Sequence, residues 1–270
     1  MAARARLDAE LVRRGLAGSR QQAADLIADG RVTIRGVTAA KPATGVERDA
    51  PLELRETDEP SWASRGAHKL LGALAAFGPA GLSVDAKRCL DAGASTGGFT
   101  DVLLRRGAAE VVAVDVGYGQ LAWQLRTDPK VQVLDRTNVR HLRPEAIGGP
   151  VDLVVTDLSF ISLRTVLPAL LQCTVPDGDL LPMVKPQFEV GKQRLGAGGV
   201  VRDPELRLAA LTEVAASAHE LGVQVQGAVA SPLPGPSGNV EYFLWLRRGP
   251  ATDATDTADM LSRAVQEGPR

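Results

Sequence analysis

The chain has 270 residues, 44% of them hydrophobic, with 31 basic and 32 acidic side chains and a formal net charge of −1. That length accommodates two domains, one with a sizeable core, and the near-neutral balance excludes a global electrostatic pull toward nucleic acid. No uninterrupted apolar run is long enough for a transmembrane helix, and the charged first residues lack the apolar stretch of a secretory signal.

Charge is nevertheless uneven. Residues 1–41 carry eight Lys/Arg against four acids, whereas 47–59 carry six acids against two arginines. The basic segment shows apolar residues at helical spacing (Leu7, Leu11, Leu16, Ala23, Ala24, Leu26, Ile27). Arg6 to Arg14 reads as one helix stopped by Gly15. Ser19 reads as the N-cap of a second helix, Arg20 to Ala28, stopped by Gly30. Val32 to Arg35 and residues 50–54 read as short strands. The expected division is a small α+β domain over 1–59, a linker over 60–64 and a catalytic body over 65–249. The linker has Pro60 and Trp62, and Trp62 is expected to pin it to the body. Residues 250–270 have few large apolar side chains and are expected to be a mobile tail, with 257–266 able to form a short helix.

The body alternates strand-like and helix-like segments. Strands are expected at 88–91, 110–115, 131–135, 151–157, 179–184, 223–230 and 241–247. Helices are expected at 66–77, 98–106, 118–126, 162–173 and 204–221. This alternation implies an α/β fold: a mostly parallel seven-stranded sheet with helices on both faces. The last two strands flank a Pro/Gly loop and are expected to pair antiparallel. Cys89 and Cys173 lie in apolar surroundings and read as buried free thiols, which suits a reducing cytoplasm. Three histidines in the whole chain argue against a metal site.

The decapeptide Asp91-Ala-Gly-Ala-Ser-Thr-Gly-Gly-Phe-Thr100 stands between a strand and a helix start. Glycine there lets backbone N–H groups approach a ligand closely. A dinucleotide fingerprint needs glycine at three positions, here Gly93, Ser95 and Gly98, so the central one is missing. Asp115 ends the next strand, where an acid accepts hydrogen bonds from ribose hydroxyls. Asp91 suits a charged amino-acid tail. A nucleoside cofactor without a pyrophosphate fits these features, and S-adenosylmethionine is one. The expected cofactor residues are Asp91, Gly93, Ser95, Gly97, Gly98, Phe99, Asp115, Asn138 and Asp157.

Four charged residues fall at expected element ends: Lys69 in Ser64-Arg-Gly-Ala-His-Lys69, Asp157 after one strand, Lys185 after the next, and Glu241 opening the last. Strand carboxyl ends line the ligand crevice of an open parallel sheet. Two lysines with two acids suit methyl transfer to a weakly acidic hydroxyl, because a lysine can hold the oxygen and stabilise its developing charge. The acids tune and orient the lysines. Methylation of an exocyclic base nitrogen usually goes with a proline-containing motif after the fourth strand. Here that strand ends Asp157-Leu-Ser-Phe160.

The N-terminal segment resembles the S4 RNA-binding domain through Arg6-Leu-Asp8, Gly15-Leu16, Ser19-Arg20, Ala24, Gly30-Arg31-Val32 and Gly36. The resemblance implies phosphate contacts from Arg6, Arg14, Arg20 and Arg31, with Arg4 and Arg65 added as basic neighbours. The chain as a whole is similar to the TlyA (hemolysin A-like) family. The likeness runs through Ser64–Lys69, Asp91–Thr100, Asp157-Leu-Ser-Phe-Ile-Ser162, Lys185-Pro-Gln-Phe-Glu189 and Gly235-Pro-Ser-Gly-Asn-Val-Glu241. The body also resembles FtsJ-type ribose methyltransferases with a Lys-Asp-Lys-Glu tetrad. These resemblances imply S-adenosylmethionine-dependent 2′-O-methylation of cytidines in 16S and 23S ribosomal RNA, with the ribosomal subunits as partners. They also imply a link to capreomycin sensitivity. Competing expectations are a membrane-active cytolysin, a non-catalytic S4-type ribosome-assembly factor and, least, a nicotinamide dehydrogenase.

Overall fold

The computed structural model describes residues 4–18, 20–28, 30–55, 62–235, 237–249 and 254–269. The N-cap expected at Ser19 and the first two residues of the expected linker lie outside the described residues. The chain divides into two compact units, residues 1–65 and 66–270.

The first unit opens with β1 (Arg4–Arg6), α1 (Leu7–Arg13) and α2 (Arg20–Ala28). Four short strands follow: β2 (Val32–Ile34), β3 (Val37–Thr38), β4 (Gly45–Glu47) and β5 (Leu52–Leu54). β2 pairs antiparallel with both β3 and β5, and β1 pairs antiparallel with β4. The apolar residues at helical spacing do what their spacing implies. Leu7, Leu11, Ala23 and Ile27 are buried together with Val32 and Val46. Strands β1, β3 and β4, of two or three residues each, were not expected from the sequence.

The second unit contains α3 (Gly66–Phe77), β6 (Arg88–Ala92), α4 (Gly98–Arg105), β7 (Glu110–Val114), α5 (Trp123–Arg126) and β8 (Val131–Leu134). It continues with β9 (Val151–Thr156), α6 (Leu163–Gln172), β10 (Thr174–Val184), α7 (Pro186–Glu189), α8 (Pro204–Glu220), β11 (Val223–Ala230), β12 (Tyr242–Arg248) and α9 (Ala254–Glu267). Its seven-stranded sheet has the order β11-β12-β10-β9-β6-β7-β8. All neighbours pair in parallel except β12, which is antiparallel to β10 and β11. The parallel strands read as continuous apolar runs because helices cover both faces of the sheet.

Three expectations need correction. The helix expected over 118–126 is reduced to Trp123–Arg126, because Gly119 adopts a left-handed φ of 66° and breaks the preceding turn. The fifth sheet strand starts earlier than expected, at Thr174, with a register shift before Asp179. The tail, expected to be mobile with a short helix allowed over 257–266, carries the longer α9, which buries Leu261 and Ala264 in the main core. Its apolar residues are few, but they share one helical face that packs on β11 and α8.

Leu261→Ala should therefore destabilise the second unit by about 2–5 kcal/mol, read by urea denaturation of the full chain. An unchanged midpoint would show that α9 is not part of the core.

Candidate methyl-transfer site

Strand register brings the candidate residues to one end of the sheet. Ala92 pairs with Val114 and with Thr156, and Pro182 also pairs with Thr156. Asp157 and Lys185 follow directly after β9 and β10. Because β12 runs the other way, its first residue, Tyr242, pairs with Val184, the last of β10. Glu241 therefore arrives at the same edge as Lys185. Lys69 reaches it from α3, whose Gly72 lies so close to Pro232 that a Cβ would meet that ring at 2.7 Å.

The four charges form one chain of contacts. Lys69 Nζ donates to Glu241 Oε2 at 2.5 Å, and both side chains are buried. Lys185 Nζ lies 2.5 Å from Asp157 Oδ1 and 3.9 Å from Glu241 Oε1. Lys185 also donates to Ser159 Oγ at 3.1 Å. Asp157 is the most open member, its side chain 25% exposed. Glu241 Oε1 accepts no hydrogen bond among the described residues. It faces the backbone of Gly235, where a Cβ would sit only 2.5 Å away.

The glycine turn borders this network. Gly93 has a left-handed φ of 92°, and a Cβ there would lie 2.6 Å from the Asp157 carbonyl oxygen. Glycine at 93 thus lets the turn after β6 touch the loop after β9. Asp115 accepts from Ser95 N at 2.8 Å and Gly117 N at 2.7 Å, one bond to each carboxylate oxygen. Each oxygen keeps a further lone pair. Asp91 is fully buried, with its Oδ2 held by the Thr100 hydroxyl at 2.6 Å. Its Oδ1 has no hydrogen-bond partner among the described residues. Burial pushes the Asp91 carboxyl up to about 7, with Thr100 opposing and the Asp157 and Asp115 charges adding to the rise.

Other expected cofactor residues are placed less directly. Gly97 caps α4 and Gly98 opens it. Phe99 is buried, with its ring centroid 6.0 Å from that of Phe243. Asn138 is exposed and uses its side-chain oxygen to cap the turn at Arg140, 3.0 Å away. Its neighbour Thr137 donates to the Asp115 carbonyl.

Other residues, several of them inside the Asp157–Ser162 and Lys185–Glu189 motifs but not singled out from sequence, stand beside the site. Phe160 is 91% exposed with a φ of +63°, and its ring lies 5.2 Å from that of Phe188. Ser159 braces Lys185, and Glu189 joins the two loops that carry Asp157 and Lys185. Beside Asp115, the Arg136 guanidinium covers the exposed Tyr118 ring at 4.3 Å. Nothing in a short polar loop motif announces which aromatic will face solvent.

In the first unit the expected RNA-facing arginines fall into different roles. Arg6 and Arg20 both bond to the buried Asp8 and keep guanidiniums more than half exposed. The Arg6 hydrogen bond holds the Asp8 carboxyl down at about 2, with Arg20 assisting. Arg14 is committed to structure: it bonds Glu10 and the carbonyls of Ala50 and Arg48. Arg31 is half-buried beside the Arg55 carbonyl, and Arg4 is exposed on β1. Arg65 is half-buried at the end of this unit.

The FtsJ-like methyltransferase family matches residues 62–248, and the S4 domain matches residues 5–50. The chain belongs to the FtsJ-like methyltransferase family. It is 64% identical, over the whole of both chains, to the 16S/23S rRNA (cytidine-2′-O)-methyltransferase TlyA of Mycobacterium tuberculosis. It is 34% identical to hemolysin A of Brachyspira hyodysenteriae, covering 88% of this chain and 98% of that one. A solved structure from Streptococcus thermophilus, named only provisionally as a hemolysin, superposes with a TM-score of 0.76. It has 36% identity and covers 99% of this chain and 98% of that one. The second unit is thus a methyltransferase domain of the FtsJ-like family, and the charged network sits where its strand ends meet.

Gly235→Ala should push the Glu241 carboxylate off Lys69 and leave a buried charge unpaired, at a cost of about 3 kcal/mol. Chemical denaturation of the full chain measures this. Unaltered stability would show that the loop yields instead.

Proposed function

We propose that the protein methylates the 2′-hydroxyl of cytidines in 16S and 23S ribosomal RNA, using S-adenosylmethionine, in the cytoplasm and on ribosomal subunits. The observation that carries this reading is the contact chain Lys69–Glu241–Lys185–Asp157 at the strand ends. In this reading the chain also bears on capreomycin sensitivity.

The residues around the glycine turn fit the methyl donor. Asp91 Oδ1 is a buried, unpartnered acceptor suited to an ammonium group. Asp115 retains lone pairs for ribose hydroxyls. When bound, S-adenosylmethionine supplies an electrophilic methyl group on a sulfonium.

A ribose hydroxyl is a weak nucleophile, so the site must orient it and relieve its proton. Lys185 Nζ donates to Ser159 and pairs with Asp157, which leaves it a proton for the ribose oxygen. That contact fixes the oxygen in line and stabilises the charge that develops on it. The hydroxyl proton passes to the Asp157–Lys185 pair, whose solvent-reached carboxylate returns it to water. Glu241 balances both lysines, and Lys69 fixes Glu241 from the far side. The exposed Phe160 ring, backed by Phe188, offers a face on which a nucleobase can stack beside these groups. Arg6 and Arg20, aligned by Asp8, supply phosphate contacts from the S4 unit.

Among the described residues, no helix is long and apolar enough to cross a membrane. The hemolysin names of some relatives would gain weight if purified protein caused liposome leakage that survived Lys185→Ala.

Lys185→Ala should lower 2′-O-methylation of ribosomal RNA by about a thousandfold while cofactor binding persists. Mapping of alkali-resistant linkages reads it, and retained transfer would overturn the assignment. Cofactor binding should also depend on pH. Below about pH 7, Asp91 is protonated in the free protein. Binding an ammonium group there must expel that proton, so affinity should fall by up to about tenfold per pH unit below 7 and level off above it. Calorimetric titrations from pH 5.5 to 8.5 measure this, with Asp91→Asn expected to flatten the profile.

A further inference from the structure

We propose that Glu189 is a positioning residue that latches the loop after β9 to the loop after β10, and so sets the separation of Asp157 and Lys185. The inference rests on the methyl-transfer reading of those two residues. Glu189 ends α7, one helical turn after Lys185, and is 3% exposed. Its Oε2 accepts from Ser162 Oγ at 2.5 Å and its Oε1 from Leu163 N at 2.7 Å. Ser162 and Leu163 open α6, five and six residues after Asp157. A carboxylate is favoured at that helix N-terminus, where backbone N–H groups lack partners.

The latch has a second strand. Arg164 donates to the Glu189 carbonyl at 3.3 Å and sits 3.6 Å from its carboxylate, while also pairing with Glu213 at 3.1 Å. The two loops meet again where Phe160 stacks near Phe188 and where Lys185 bonds Ser159. Apart from the Arg164–Glu213 pair, which reaches α8, these cross-links span the same pair of loops, and Glu189 is a buried anchor among them.

A local cap already exists, because Ser162 Oγ accepts from Arg164 N at 3.3 Å. That cap serves Arg164 N and leaves Leu163 N to Glu189, supplied from 26 residues away. Burial raises the proton affinity of this carboxyl, opposed by its Ser162, Leu163 and Arg164 contacts. A buried acid of this kind is costly unless it is hydrogen-bonded and paired, and the partners that satisfy Glu189 all stand at the start of α6, just after the loop that carries Asp157. The geometry they set is the approach of Lys185 Nζ to Asp157.

The test compares Glu189→Ala, Glu189→Gln and the parent chain, with ribosomal RNA and S-adenosylmethionine as substrates. Glu189→Ala should lower kcat by about 10- to 100-fold, the scale of a misplacement near 1 Å. Its S-adenosylmethionine Kd should change less than kcat, because Asp91 and Asp115 belong to strands Glu189 does not touch, and only the Gly93 turn borders the loop that moves. Glu189→Gln should restore kcat to within about threefold, since its amide can bond both Ser162 and Leu163. Parent-like kcat in Glu189→Ala would overturn the proposal. So would a joint fall of kcat, cofactor affinity and melting temperature without recovery in Glu189→Gln, which would mark a merely structural role. If the parent chain forms no 2′-O-methylcytidine, the reaction assigned to the site fails. The latch is still decided by a crystal structure of Glu189→Ala. A Lys185–Asp157 separation wider than 2.5 Å supports it and an unchanged one overturns it.

Discussion

The pairing of Lys69 with Glu241 is the constraint on which the site depends. Both groups are buried, and an unpaired charge in such a place would cost several kcal/mol. Each is therefore acceptable only beside the other. Satisfying them fixes α3, which carries Lys69, against the start of β12, which carries Glu241. Lys185 then has one carboxylate behind it and one in front. A water-poor end and a solvent-reached end result within one network, which a reaction that must shed a proton requires.

Much of this was legible in the sequence, for identifiable reasons. The sheet strands are continuous apolar runs bounded by glycines and charges, so they stand out whatever the tertiary context. The four charged residues that meet in this network stood out in the sequence because each terminates or opens such a run, or sits in a distinctive motif. What failed depended on contacts far apart in sequence. Leu261 and Ala264 look sparse until β11 and α8 lie beneath them. Residues 118–126 look helical until Gly119 turns the chain the other way. Glu189 looks like an ordinary helix-end acid until Leu163 meets it.

The S4 unit teaches a related lesson about charge. Arginines that look equivalent in a basic segment divide once the fold is present. Arg14 ties α1 to two backbone carbonyls and is spent on the unit's own architecture. Arg6 and Arg20 converge on Asp8 and remain open to solvent. An acid that would seem to dilute a basic face instead holds two guanidiniums in a fixed relation, which lowers the entropy they would lose on meeting an anion.

The antiparallel entry of β12 between β10 and β11 bears on how the protein comes to be made. Lys69 is synthesised early, and its partner Glu241 arrives 172 residues later. Until β12 inserts, β10 presents an open edge and Lys69 lacks its counter-charge. The nascent domain is thus without a finished site through most of translation, and contacts of such sequence separation form slowly. The contact between Lys69 and Glu241 cannot form before β12 has been synthesised.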